Sequence, residues 1–202
     1  MIVSFIRHGS TTWNEQGRMQ GRRDVPLSER GRAEVRAWHV PPDPSGPAHW
    51  VSSPLRRAVE TAKLLCGDEP QCESALTEMD WGAWEGFTLP ELRARFGAEF
   101  TRNEASGLDF RPPGGESPRD VQRRVQRWLA RMAACRGPVL AVTHKGVLRA
   151  VLAAATGWDM TCKPPVRLQP DALHRFVVDD DGTASMLECN VPLATRPGTD
   201  AR

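Results

Sequence analysis

No apolar run in this chain of 202 residues approaches the roughly 18 needed for a membrane span, so no membrane partner is expected. Neither sign of charge dominates: 27 Lys and Arg stand against 25 Asp and Glu, a formal net charge of +2. A dedicated nucleic-acid binder gathers its basic residues strongly on one face, so nucleic acid is not an expected partner either. The five cysteines, at positions 66, 72, 135, 162 and 189, are scattered, odd in number and form no C-x-x-C pair. A disulfide framework and a zinc site are therefore unexpected, and a reducing cytoplasm is the simplest home. The amino terminus enters a strand pattern at once, without a basic leader and small-residue cleavage site. Internal repeats are missing too. The expectation is one α/β domain over residues 1–202, with a frayed tail at 191–202.

What the chain does contain is two apolar, β-branched runs, Met1 to Ile6 and Pro138 to Val142, which read as buried strands of a parallel sheet. Each leads to a histidine followed by glycine within two residues: Arg7-His8-Gly9 and Thr143-His144-Lys145-Gly146. Polar residues just beyond the carboxyl ends of such strands lie where open α/β sheets gather ligands. Two imidazoles and an arginine at one sheet edge point to phosphate. Histidine attacks phosphorus well when one ring nitrogen is free and the other is pinned by a hydrogen bond. Arg7 is a natural phosphate fork, and Gly9 lets backbone approach a ligand closely.

The remaining elements follow from caps and periodicity. Ser28 is placed to cap a helix running to about His39, and Pro41 to Pro47 reads as loop. Trp50 to Ser52 makes a short strand, and Ser53-Pro54 reads as N-cap plus first-turn proline for a helix from Leu55 to about Cys66. A helix is expected from about Leu89 to Phe96. Ser117-Pro118, with Asp120, starts an amphipathic helix whose buried stripe is Val121, Val125, Trp128, Leu129 and Met132. Arginines 119, 123, 124, 127 and 131 read as its solvated face beside carboxylates. After the second strand, a helix runs from about Gly146 to Ala155. Leu173 to Val178 and Ala184 to Cys189, joined by Asp180-Asp181-Gly182, read as an edge hairpin. His39, His49 and His174 receive no functional role, and Trp81 and Trp84 are candidates to wall a cleft.

The stretch Arg7-His8-Gly9-Ser10-Thr11-Thr12-Trp13-Asn14 resembles the signature of the histidine phosphatase superfamily, the phosphoglycerate mutase-like family. The likeness continues, in the family's order, through Gln20-Gly21, Ser52-Ser53-Pro54-Leu55-Arg56-Arg57-Ala58, Leu76-Thr77-Glu78 with Trp81-Gly82, Gly115-Glu116-Ser117 and Thr143-His144. It implies a three-layer α/β/α sandwich around a mostly parallel sheet, working without cofactor. His8 would be the nucleophile that forms a phosphohistidine. Arg7, Arg57 (rather than Arg56) and His144 would grip the phosphoryl oxygens, and Glu78 would protonate the leaving group and then activate water. Glu73, Asp80 and Glu85 are the competing carboxylates for that last role. Asn14, Gln20 and Gly21 match substrate-pocket positions. No metal is needed, since guanidinium and imidazole groups supply the positive charge.

Two departures stand out: Ser10 where many members have Glu or Gln, and Lys145 where many have glycine. The Lys145 ammonium either reaches an anionic substrate or lies over the helix start. The activity implied is hydrolysis of a small phosphomonoester. Its rivals are a mutase that returns the phosphoryl group to substrate, against which the chain's shortness counts, and a catalytically silent anion-binding module. A homodimer is left open, because an apolar helix face looks the same in sequence whether core or partner covers it.

Overall fold

The computed structural model describes residues 1–43, 45–46, 48–134 and 137–195. Cys135 and the tail from 196 to 202 lie outside the described residues. Along the chain run β1 (Ile2–Arg7), α1 (Thr12–Glu15), α2 (Glu29–Ala37), β2 (Trp38–His39), β3 (His49–Ser52), α3 (Arg56–Cys66) and β4 (Gln71–Cys72). Then come α4 (Leu89–Glu104), α5 (Pro118–Ala133), β5 (Val139–Thr143), α6 (Lys145–Thr156), β6 (Ala172–Val178), β7 (Ala184–Pro192) and β8 (Ala194–Thr195).

Six strands form one sheet in the order β4-β3-β5-β1-β6-β7. The first four run parallel, and the expected hairpin β6–β7 adds antiparallel strands on the β1 side. Alternation along β1 and β5 divides the core between the two faces of the sheet. Val3, Phe5, Val139 and Ala141 join Val121, Val125, Trp128 and Leu129 of α5 and Val147, Leu148 and Val151 of α6. Ile6, Leu140 and Val142 instead meet Ala58 and Ala62 of α3. Helices therefore cover both faces, in three layers. Ser117 caps α5 reciprocally with Asp120, and Ser28 accepts the Gly31 amide at 3.0 Å, contacts worth about 1 kcal/mol each.

Four expectations need correction or extension. The helix after Ser28 stops at Ala37, because Trp38 turns extended (φ −73°, ψ 138°) and pairs with Thr195. The start of the expected frayed tail is strand as well, Val191 and Pro192 ending β7 opposite β6 and Ala194–Thr195 forming β8 opposite β2. The helix expected from Leu89 to about Phe96 is followed, past a break, by a further helical stretch. Gly97 breaks it (φ 46°, ψ −121°), and helix resumes to Glu104 because Phe100 packs on Trp84 at 5.0 Å. Ser53 is not the N-cap of α3: that is Leu55, with no side-chain bond, while the Ser53 hydroxyl accepts the Leu55 amide at 3.3 Å and also pairs with His144. Among the described residues, no helix is long and apolar enough to cross a membrane.

Candidate active site

The two histidines meet because of the β1–β5 ladder. Arg7 lies opposite Thr143 in register, and the His8 amide donates to the Thr143 carbonyl at 2.9 Å. Neighbouring strands lie about 4.8 Å apart. The next residue on each chain is a histidine, and the two ring centroids are 5.0 Å apart. The His8 Nδ1–H donates to the Gly9 carbonyl at 2.7 Å, which fixes the tautomer and leaves Nε2 with its lone pair. Burial first, then repulsion from Arg7 and Arg57, holds the His8 pKa well below the ordinary histidine value, so the ring is neutral at pH 7. Burial, then Arg57, does the same to His144.

His144 Nε2 pairs with the Ser53 hydroxyl at 2.7 Å. Its Nδ1 is buried without a partner. Arg57 is wholly buried on α3, where it donates to the Arg23 carbonyl at 2.7 Å and the Gly21 carbonyl at 2.8 Å. Its Nε, like that of Arg7, is buried and unpaired. Among the described residues five buried side-chain nitrogens lack a partner, and three of them belong to Arg7, Arg57 and His144. Buried donors are nearly always satisfied in native proteins. Guanidinium groups of this kind suit phosphoryl oxygens.

The Glu78 carboxylate accepts from the Met79 amide at 2.8 Å and the Gly146 amide at 3.2 Å. Gly146 gives the carboxylate its room there, since a Cβ would stand 2.3 Å from Glu78 Oε1. Gly21 has φ +53°, and a Cβ on it would strike Glu85 Oε1 at 1.9 Å. The carboxylates that compete with Glu78 in sequence have structural duties. Glu85 accepts the Arg22 amide, Glu73 the Ala75 amide, and Asp80 the Gly82 amide. Asn14 Oδ1 accepts the Thr11 amide at 3.1 Å and Gln20 Oε1 accepts the Thr11 hydroxyl at 3.0 Å, which leaves both NH2 groups free to donate.

Arg7, His8, Asn14, Gln20, Gly21, Arg57 and Glu78 all line one cleft of about 560 Å³. His144 is wholly buried and stands outside that wall. Trp81 lines the cleft, whereas Trp84 is buried among Leu92 and Phe100. Ser10 lines an adjoining hollow beside α2, which shares Arg7, His8 and Asn14 with the cleft, and is not itself in the cleft wall.

Sequence reasoning missed a polar clamp behind Glu78. Glu116 forms a two-pronged pair with Arg124, both contacts 3.1 Å, and also meets Arg22 and the Asp80 amide at 3.1 Å. Arg124 in turn donates to the Ala75 carbonyl. The segment carrying Glu78 is thus held on both sides. Glu116 sits in the Gly-Glu-Ser block, and Arg124 is one of its near neighbours in sequence, but nothing local shows that its other partners are Asp80, 36 residues away, and Arg22.

Comparison with known proteins agrees with this geometry. The chain is 33% identical over 197 residues to a 2,3-bisphosphoglycerate-dependent phosphoglycerate mutase of Methylobacterium radiotolerans, covering 91% of this chain and 92% of the relative. It is 34% identical over 167 residues to "phosphoglycerate mutase 2" of the same cofactor dependence from Gloeobacter violaceus, covering 75% and 74%. A mycobacterial glucosyl-3-phosphoglycerate phosphatase solved with VO3 superposes with TM-score 0.76 at 28% identity, over 96% of this chain and 99% of that one. The description "histidine phosphatase superfamily (branch 1)" matches residues 3–190, a span that takes in both histidine-bearing strands, the Arg57 helix and the Glu78 segment, and the chain belongs to that superfamily.

Proposed function

We propose that this chain is a metal-independent phosphatase that hydrolyses a small phosphomonoester through a phosphohistidine on His8. The observation that carries the reading is the pinned His8 ring, its Nδ1–H held by the Gly9 carbonyl and its Nε2 free in a cleft rimmed by Arg7 and Arg57. Nε2 gives its lone pair to phosphorus as the ester P–O bond breaks, and the Glu78 carboxyl passes its proton to the departing oxygen. Arg7, Arg57 and His144 hold the charge on the equatorial oxygens. In the second half the Glu78 carboxylate takes a proton from water, hydroxide bonds to phosphorus, and the P–N bond returns its electrons to Nε2. Inorganic phosphate leaves and Glu78 is protonated again.

The names of the two curated relatives favour a second reading, a mutase. Chain length does not separate the two, because the chain spans 92% of one of those relatives. Support for hydrolysis comes from the solved neighbour named as a glucosyl-3-phosphoglycerate phosphatase, which matches 96% of this chain.

Base-quenched turnover of ³²P-labelled 4-nitrophenyl phosphate should trap an acid-labile phosphoprotein that is lost in His8→Ala. Labelled 3-phosphoglycerate given with 2,3-bisphosphoglycerate separates the activities: free phosphate supports the phosphatase, and 2-phosphoglycerate formed without it supports the mutase. Undiminished turnover in His8→Ala would refute both.

A further inference from the structure

Lys145 opens α6 and Arg149 follows one helical turn later, so their side chains leave the same helix face. Both wall the cleft that holds His8. Among the described residues no carboxylate pairs with either head group, and the Arg149 guanidinium lies over the Trp158 ring at 4.9 Å. Partial burial, then repulsion from Arg7 and Arg149, holds the Lys145 ammonium below the ordinary lysine value, and Arg167 adds to the effect. Cations gathered in this way repel one another and focus a positive potential into the cleft.

The charge balance extends the point. Five cations (Arg7, Arg18, Arg57, Lys145 and Arg149) face the cleft against two carboxylates, Glu78 and Glu104. Glu104 is already paired with Arg93 at 2.9 Å. A phosphoryl group brings only about −1.5 to −2 at neutral pH, so a positive charge is left over. The same wall includes Met19, Trp81 and Phe110, with Trp81 edge-on to Phe110 at 5.4 Å.

We propose that Lys145 and Arg149 form a second anion subsite, and that the substrate is a phosphomonoester whose apolar body carries another anionic group. The inference rests on the phosphoryl site at His8 described above. Arg7, Arg57 and the unpaired His144 nitrogen take the first anion, and the turn of α6 from Lys145 to Arg149 takes the second.

Calorimetric titration with benzylphosphonate and 4-carboxybenzylphosphonate tests the subsite without requiring turnover. Wild-type protein should bind the carboxylated compound about tenfold more tightly, the scale of two partly screened charge pairs. Lys145→Gln should cut that preference about threefold, and Lys145→Gln with Arg149→Gln should abolish it. The ratio of the two affinities cancels any change in binding of the shared phosphonate. Lys145 is exposed, so the single variant suffices if loss of the Arg149–Trp158 contact unfolds the double one. Equal affinities in wild type, or a preference that survives in the variants, would overturn the subsite and leave the phosphoryl site standing. Failure of both phosphonates to bind or to compete with vanadate would remove the phosphoryl site, and this inference with it.

Discussion

Adding one methyl group at Gly146 tests the role of Glu78 without touching Glu78. The Cβ of Gly146→Ala would lie 2.3 Å from Glu78 Oε1 and 3.2 Å from Glu78 Cδ. The oxygen must retreat by about 1 Å to reach van der Waals distance, and a misplacement of that size can cost about 10²-fold in rate. The fold should tolerate the change, because the atom displaced is the end of a flexible side chain. Alanine is also favoured over glycine in a helix by up to about 1 kcal/mol. The assay is kcat/KM, which reports steps only through formation of the phosphoenzyme, on two substrates of unlike leaving group. Glycerol 3-phosphate needs its alkoxide protonated, and a general acid is worth about 10²–10⁴ there. 4-Nitrophenolate leaves without help. Gly146→Ala should therefore lose about 10²-fold on glycerol 3-phosphate, near 2.7 kcal/mol, and less than about fivefold on 4-nitrophenyl phosphate. Equal losses on the two substrates, or no loss on the alkyl ester in a protein of unchanged melting temperature, would refute the assignment of Glu78 as the acid.

The histidines and the clamp behind Glu78 give two further predictions. His8, His144 and His174 are buried, and burial is the first cause that lowers each pKa from the ordinary value of 6.5. The unfolded chain binds protons near pH 6.5 that the folded protein refuses, so ligand-free stability should fall as pH drops from 6.5 toward 5, by up to about 1.4 kcal/mol per pH unit for each histidine. Urea unfolding at pH 7.5, 6 and 5 checks this, and a flat profile would contradict it. Glu116→Gln removes the charge shared by Arg124, Arg22 and the Asp80 amide, and should cost about 1–3 kcal/mol of stability. With glycerol 3-phosphate kcat should fall about tenfold while KM stays within twofold; a change in KM alone would show that the clamp does not position Glu78.

The sequence made the histidine-bearing strands readable because a short continuous apolar run and a polar terminus are local properties, and both strands are buried on both faces. Ser28, Ser117 and the α5 stripe were legible for the same reason, and four of the five arginines on α5 do meet carboxylates. Ser53 shows how local reading fails. Ser-Pro is a sound cap signal, but the hydroxyl gains more from a buried imidazole 91 residues away. The restart of α4 beyond Gly97 depends on Phe100 finding Trp84, and β8 exists only because Trp38 is extended opposite it. The choice of Glu78 over Glu73, Asp80 and Glu85 rested on a resemblance; all four accept backbone amides, and what distinguishes Glu78 physically is that it alone of the four lines the cleft.

The spacing of the two imidazoles is inherited from hydrogen bonds between β1 and β5, and no connecting loop contributes to it. Insertions or substitutions between residues 86 and 115 can reshape the part of the cleft walled by Leu89, Glu104, Gly107 and Phe110 without altering the distance between the two rings. The ladder thereby separates two evolutionary freedoms. Taste for a new ester can drift in the loops, while a one-residue slip in either strand would abolish turnover of every ester at once.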